Sequence, residues 1–278
     1  MKKKKHFSGS DLAVYILLIV ITILVLFPIY ILALNSIKSD VEIKAGPLEL
    51  PSVPQLQNFA DAYITGGFHT GLLNSLKIAV VVCIAVILLA TLAAYGLARL
   101  YVPGKLKINT YFLMGLAVPP QLFLIPLYNN LSVLGLNDTH VGLILVYIGI
   151  YLPFSIFFLR SFYLSLPREV EECAKIDGCS TIQIVFRIVL PMSRPAFLSL
   201  IVIIFTWVWN EFTFAVTLIQ SDQLKTVSTQ YLAFSSNRDI DLSMVAAAGI
   251  ITSIPVVILF ILLQKNFIEG MTSGSVKG

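Results

Sequence analysis

An all-helical fold that crosses a membrane six times is predicted by three features of the sequence: its apolar content, six apolar stretches of about 20 residues, and connections that alternate between basic and non-basic. Of 278 residues, 57% are hydrophobic and 12% charged, and the mean hydropathy is +0.88. A soluble domain cannot cover that much apolar surface, so lipid is the solvent for most of the chain.

The stretches run from Leu12 to Leu34, Leu73 to Ala98, Ile108 to Tyr128, Val141 to Phe162, Ala196 to Ile219 and Met244 to Leu263. Each is long enough to satisfy its backbone internally as a helix across the hydrocarbon. The first follows Lys2–Lys5 as a secretory signal would. However, its charge-free run from Leu12 to Ile37 exceeds a signal core of roughly 7–15 residues, so it is expected to remain as a span. Residues 1–11 then form an N-terminal tail, 12–34 the first helix, 35–71 an extracytoplasmic loop, 72–263 a five-helix core and 264–278 a C-terminal tail. Pro28, Pro119, Pro120 and Pro153 fall within spans, where proline removes a backbone hydrogen bond and is expected to kink the helix.

Lys and Arg set the orientation. They gather at the N-terminus, at Arg99, Lys105 and Lys107, and at Arg160, Arg168, Lys175, Arg187 and Arg194. These three regions and both termini are expected on the cytoplasmic side. The alternate connections balance or lack basic charge: Lys38 and Lys44 face Asp40, Glu42, Glu49 and Asp61, residues 129–140 have neither Lys nor Arg, and Lys225 and Arg238 face Asp222, Asp239 and Asp241. The net charge of +4 is thus spent on orientation, with no basic patch interleaved with aromatics of the kind that binds nucleic acid.

The connection at 165–195 is too polar to face lipid and carries a helix–turn–helix pattern. A first short helix begins near Pro167, with Glu169, Glu171 and Glu172 at the positive end of its dipole. Gly178 ends it. Ser180 and Gln183 form a capping box for a second helix, which Pro191 limits. Glu172-Cys173-Ala174, three residues, Gly178, nine residues and Ile188-Val189-Leu190-Pro191 resemble the EAA loop of binding-protein-dependent ABC import permeases, including the pair Asp177-Gly178. Cys173 and Cys179 stand where that family often has alanine. The resemblance extends over about residues 70–278, through Trp209-Asn210-Glu211-Phe212 to the tail Gly270–Gly278, which is similar to maltose-type carbohydrate permeases.

That resemblance implies an ABC type I importer core over 72–263, in a prokaryotic inner membrane, with the loop as a coupling helix seated on a separate ATPase. Glu172 would meet a basic partner residue, Ala174 and Asp177 belong to the motif, Gly178 would permit the turn, and Ile188, Leu190 and Pro191 would close the motif and fix the exit into the fifth span. Without the motif, Glu172 would read as a solvated helix face. The implied partners are ATPase subunits that use ATP and Mg, a second related permease, an extracytoplasmic solute-binding protein, lipid and a small solute, a sugar or oligosaccharide, with a polyol phosphate or another small solute left open.

No cofactor is expected in this chain itself. The one Gly-Lys pair, Gly104-Lys105, lacks the upstream glycine and following hydroxyl of a phosphate-binding loop. His6, His69 and His140 lie apart, and the three cysteines have neither zinc nor disulfide spacing, so no catalytic or metal site is expected. An ion-coupled secondary transporter is the alternative reading; it needs ionisable groups in mid-membrane, and Glu211 is the one acid well inside a span. A membrane-embedded hydrolase would need paired carboxylates, which Glu211 alone does not provide. Trp209, Asn210 and Glu211 either join an interfacial aromatic belt or line the solute path, and the sequence leaves both open.

Overall fold

Long apolar stretches with no water to satisfy their backbone become helices, and in the computed structural model every regular element among the described residues, 9–237 and 241–273, is helical. Lys2–Lys5, Arg238, Asp239 and the end of the tail, 274–278, lie outside these residues. The helices are α1 (Gly9–Asn35), α2 (Asp40–Ala45), α3 (Gln57–Thr65), α4 (Phe68–Arg99), α5 (Lys105–Ala117), α6 (Leu124–Val133), α7 (His140–Ser165), α8 (Arg168–Ile176), α9 (Thr181–Ile184), α10 (Leu190–Met192), α11 (Arg194–Asn210), α12 (Thr213–Leu218), α13 (Val227–Ser235) and α14 (Leu242–Ser273). Among the described residues, four helices are long and apolar enough to span by themselves, and up to six spans result if each of two bent helix pairs counts as one.

The chain divides into two compact units, Met1–Phe68 with Tyr231–Ser253 and His69–Gln230 with Ile254–Gly278. In the first, α1 stands exposed, and the 36–58 segment beyond it is tightly tied. Asn58 donates to the Ser36 and Lys38 carbonyls at 3.0 and 2.8 Å, and the buried Lys38 ammonium donates to the Gly46 carbonyl at the C-terminal end of α2, 2.9 Å away. Glu42 completes a capping box with Ser39. Its carboxyl is held down to about 2 by the Ser52 hydroxyl and the Ser39 and Ser52 N–H groups.

The second unit holds the candidate site. Along α4, Ala79, Val82, Val86, Ala90 and Ala94 are buried at helical spacing, and small residues there allow neighbouring helices to approach closely. The helix α7 packs on both α5 and α11.

Two predicted spans are corrected. The stretch from Ile108 to Tyr128 is not one helix: α5 ends at Ala117, and the helical segment from Pro120 to Val133 turns from it by 90°. Pro119 drives Val118 into extended backbone, and the two prolines supply no N–H to continue the ladder. The stretch from Ala196 to Ile219 is broken as well. There α11 stops at Asn210, Glu211 is extended at φ −68°, ψ 128°, and α12 restarts at Thr213. By contrast, Pro28 and Pro153 lie inside continuous α1 and α7.

Candidate functional site

The 165–193 connection folds as two short helices joined by a tight turn. Pro167 caps α8, one residue before the helix proper. At its other end, Gly178 has φ 81°, its N–H bonds to the Lys175 carbonyl at 3.0 Å, and the Cys179 N–H reaches back to the Ala174 carbonyl at 2.9 Å. This paired return is a Schellman motif, which needs a residue in the left-handed region at the glycine position. Ser180 then caps α9. Its Oγ accepts from Gln183 N–H at 3.4 Å, while Gln183 Oε1 accepts from Ser180 N–H at 2.8 Å, the reciprocal arrangement expected from the sequence.

Beyond α9 the chain is not simple α-helix. Val185–Val189 is π-helical, α10 follows directly, and the direction changes by 77° at Ser193. The expectation that Pro191 ends the helix is therefore corrected by two residues. Pro191 sits in α10, where the missing N–H is accommodated by the wider ladder before it, and Ser193 at φ −93°, ψ 9° makes the corner.

The faces of α8 are sharply unequal. Glu171 and Ala174, three residues apart, are buried, while Glu172, Cys173, Lys175, Ile176 and Asp177 are exposed. Glu171 Oε1 accepts from Arg99 Nε at 2.8 Å and Oε2 from Tyr95 Oη at 2.9 Å, while Arg99 Nη2 donates to the Leu166 carbonyl at 2.7 Å. The Arg99 and Glu171 side chains retain only 6% and 8% of their exposure, so this ion pair is shielded from water. On the outer side, Ile176 and Ile182 are 85% and 69% exposed, flanking the turn. Ile188 and Leu190 are half-buried and Pro191 exposed. Leu190 and Pro191 line a groove of about 340 Å³ with Ile87, Leu88 and Leu92 of α4. Asp177 and Gly178 thus stand at the exposed turn, Glu172 lies on the exposed face of α8 before it, and Ile188, Leu190 and Pro191 follow in the π-helical stretch and α10.

Sequence reasoning missed Glu171 and Arg99, taking the first as a dipole charge and the second as an orientation charge. The signal was available: Glu171 lies one helical turn before Ala174 and shares its face.

At the opposite end of this unit, Trp209, Asn210 and Glu211 diverge. Trp209 is buried and stacks on Phe205 with centroids 5.5 Å apart. Asn210 is exposed, with Nδ2 donating to the Thr206 carbonyl at 3.0 Å. Glu211 is half-buried and turns inward: Oε1 accepts from Phe214 N–H at 2.9 Å, and Oε2 from Tyr147 Oη at 2.6 Å and Ala215 N–H at 3.1 Å. The carboxylate therefore caps α12 and fixes the break in the span. Neighbouring Trp207, 39% exposed, packs against Phe154 and Tyr151 at 4.7 and 5.6 Å and presents an aromatic face. On the other side of α7, a cavity of about 790 Å³ lies against α5 and α6, lined by Tyr111, Phe123, Asn130, Gly149 and Pro153.

The profile of the family described as binding-protein-dependent transport system inner membrane component matches residues 87–273. Over 277 residues the chain is 34% identical to the probable ABC transporter permease protein YurM of Bacillus subtilis, covering 100% of this chain and 92% of that protein. It is 36% identical over 262 residues to the diacetylchitobiose uptake system permease protein NgcG of Streptomyces coelicolor, covering 93% of this chain and 86% of that one. Among solved structures, a chain of a bacterial ABC transporter that imports the acidic polysaccharide alginate superposes with a TM-score of 0.81 at 22% identity, covering 95% of this chain and 100% of that one.

Proposed function

Since the chain belongs to the family of binding-protein-dependent transport system inner membrane components and is a permease subunit of an ABC importer, we propose that it carries a carbohydrate and takes its energy through the 165–193 loop from a separate ATPase. The observation that carries the coupling assignment is the two-sided loop. It is pinned from behind by a buried ion pair, yet it exposes Ile176, Ile182 and Glu172 around a glycine turn. Exposed isoleucines on a polar connection outside the lipid make a surface suited to a protein cleft, and Glu172 adds a charge that selects a basic partner. The basic residues of this connection support a cytoplasmic position for it, with both termini on the same side.

A second permease subunit would enclose the path, and an extracytoplasmic solute-binding protein would deliver the cargo. Support for a carbohydrate comes from the diacetylchitobiose permease relative and from the Trp207–Tyr151–Phe154 face beside Asn210, which offers a stacking surface and an amide to a hydroxyl-rich ligand. Membership of a binding-protein-dependent family leaves the ion-coupled alternative without support.

The test is to purify the tagged chain with its co-expressed neighbours, identify the subunits retained, and measure ATP-dependent uptake of labelled disaccharides, oligosaccharides and polyols in proteoliposomes. An ATPase should co-purify, and saccharides should be the class taken up. Uptake driven by an ion gradient without ATP would overturn the mechanism, and uptake restricted to non-carbohydrate solutes would overturn the cargo.

A further inference from the structure

The helix α4 carries polar ties at both of its ends. At one end Tyr95 and Arg99 hold Glu171 of α8, and Arg99 also holds the Leu166 carbonyl at the start of the loop. At the other end Asn74 Nδ2 donates to the Gln223 and Lys225 carbonyls at 2.8 and 3.0 Å, and Ser75 Oγ accepts from Val227 N–H at 2.8 Å. Between them, from Ile78 to Ala90, the helix has no charged residue and is built for packing alone. The two ties lie roughly 30–36 Å apart along the axis, at about 1.5 Å per residue.

The 223–227 segment is in turn bound to the break in the fifth span. Ser228 Oγ donates to the Glu211 carbonyl at 2.8 Å, and His140 Nε2 lies 2.9 Å from the Leu224 carbonyl. An unbroken helix resists compression, and side-chain hydrogen bonds at its two ends convert its displacement into displacement of whatever they hold. From this we propose that α4 is a push-rod. Its driven end is the Glu171–Arg99–Tyr95 cluster and its working end is Asn74 and Ser75, so that movement of the loop is delivered to the 223–228 segment on the far side of the unit. Glu171 and Asn74 are positioning residues in this scheme. Neither touches solute or nucleotide, and Glu171 works on the inner face of α8 while Glu172 works on the outer. This rests on the reading of the 165–193 loop as the ATPase contact.

The proposal is tested on the whole transporter in proteoliposomes with Glu171→Gln, the milder Tyr95→Phe, Asn74→Ala, and Glu172→Ala as a reference for docking. Three quantities are measured: ATPase retained on washing, solute moved per ATP hydrolysed, and the ATP-dependent change in hydrogen exchange of the peptide spanning 223–228. Asn74→Ala should keep the ATPase and its hydrolysis but move about tenfold less solute per ATP, the worth of two hydrogen bonds to backbone carbonyls, and Glu171→Gln, which leaves Arg99 buried without its counter-ion, should lower the ratio at least as much. Tyr95→Phe, which removes one hydrogen bond to that carboxylate and leaves the Arg99 pair in place, should lower the ratio about tenfold. In all three the ATP-dependent exchange change at 223–228 should vanish or shrink in proportion, a readout that simple loosening of the fold would not produce.

Wild-type solute per ATP and an unaltered exchange response in Tyr95→Phe and Asn74→Ala would overturn the push-rod, whatever happens to Glu171→Gln. Loss of the ATPase from Glu171→Gln and Tyr95→Phe alike would also overturn it, reducing the cluster to a folding anchor. The coupling reading itself fails separately, if Glu172→Ala retains the ATPase and transports at the wild-type rate.

Discussion

Gly178 separates backbone conformation from packing within the chain, because its φ is 81° and no atom beyond its chain neighbours lies within 4 Å of where a Cβ would stand. A side chain there meets nothing of this subunit, so the intramolecular effect of substitution comes from the left-handed conformation. For an ordinary L-residue that conformation costs about 1–2 kcal/mol, Asn tolerates it well, and a β-branched residue tolerates it least. A penalty of about 1–2 kcal/mol shifts an equilibrium roughly 5- to 30-fold. The competing loop state lacks the Cys179-to-Ala174 and Gly178-to-Lys175 bonds and mis-aims α9. Gly178→Asn should therefore stay close to wild type, Gly178→Ala should lose about fivefold, and Gly178→Val should approach the 30-fold limit. The assay is ATPase retention on washing together with solute-stimulated ATP hydrolysis in proteoliposomes. Equal activity in the Asn and Val variants, whether full or absent, would refute the reasoning, since the two are close in size and differ chiefly in their tolerance of the left-handed region.

Other outcomes follow from the same geometry. In Glu211→Gln, an amide N–H₂ must face one of the three donors that the carboxylate now accepts, so α12 should lose its cap and uptake should fall about tenfold or more in an assembled complex; normal uptake kinetics would remove Glu211 from any role in the path. Asp138 accepts from the Ser221 hydroxyl and from the Ser221 and Gln220 N–H groups, and these, in that order of cause, lower its pKa. A carboxyl depressed in the folded state stabilises above its unfolded pKa of about 3.9 and ceases to do so as pH falls through the folded value. A spin label at position 223 should accordingly keep its mobility from pH 8 to about pH 5 and loosen only below about pH 4; loosening near pH 6 would contradict this, as would an Asp138→Asn variant that stays rigid. Cys173 is exposed on α8 and Cys83 is buried in α4. An impermeant maleimide should label Cys173 only after cells expressing the subunit without its ATPase are permeabilised, and labelling of intact cells would reverse the orientation.

What the sequence made legible was what local rules govern. Apolar length fixed the helical class, and the Ser180–Gln183 box and the Gly178 turn appear where residue chemistry demands them. What stayed hidden depends on tertiary partners. Two adjacent glutamates look alike in a sequence, and only the fold shows Glu171 held by Arg99 while Glu172 points out. The interruption at Glu211 was equally invisible, because hydropathy scores a run as continuous when a carboxylate is satisfied by Tyr147 and the following N–H groups. The Pro119-Pro120 pair announced a kink but not its 90° size, which a run of apolar residues does not encode. The two tryptophans of α11 were the least legible: Trp209 turns inward and Trp207 outward, a difference of facing rather than composition.

The π-helical stretch at Val185–Val189 also bears on the length of the interval from Gly178 to Ile188. A π turn holds one residue more than an α turn, and each residue of a helix advances the azimuth by about 100°. Deleting a single residue between Gly178 and Ile188 would let the stretch relax to an α ladder and keep the loop's bearing, whereas inserting one would meet a turn that is already widened. The insertion would swing Ile182 and the glycine turn about a quarter of a revolution around the axis, away from the bearing at which Glu171 holds them. The spacing is thus a phase setting: it determines which way the loop points, and a loop of perfect composition but wrong phase would offer its isoleucines to empty solvent.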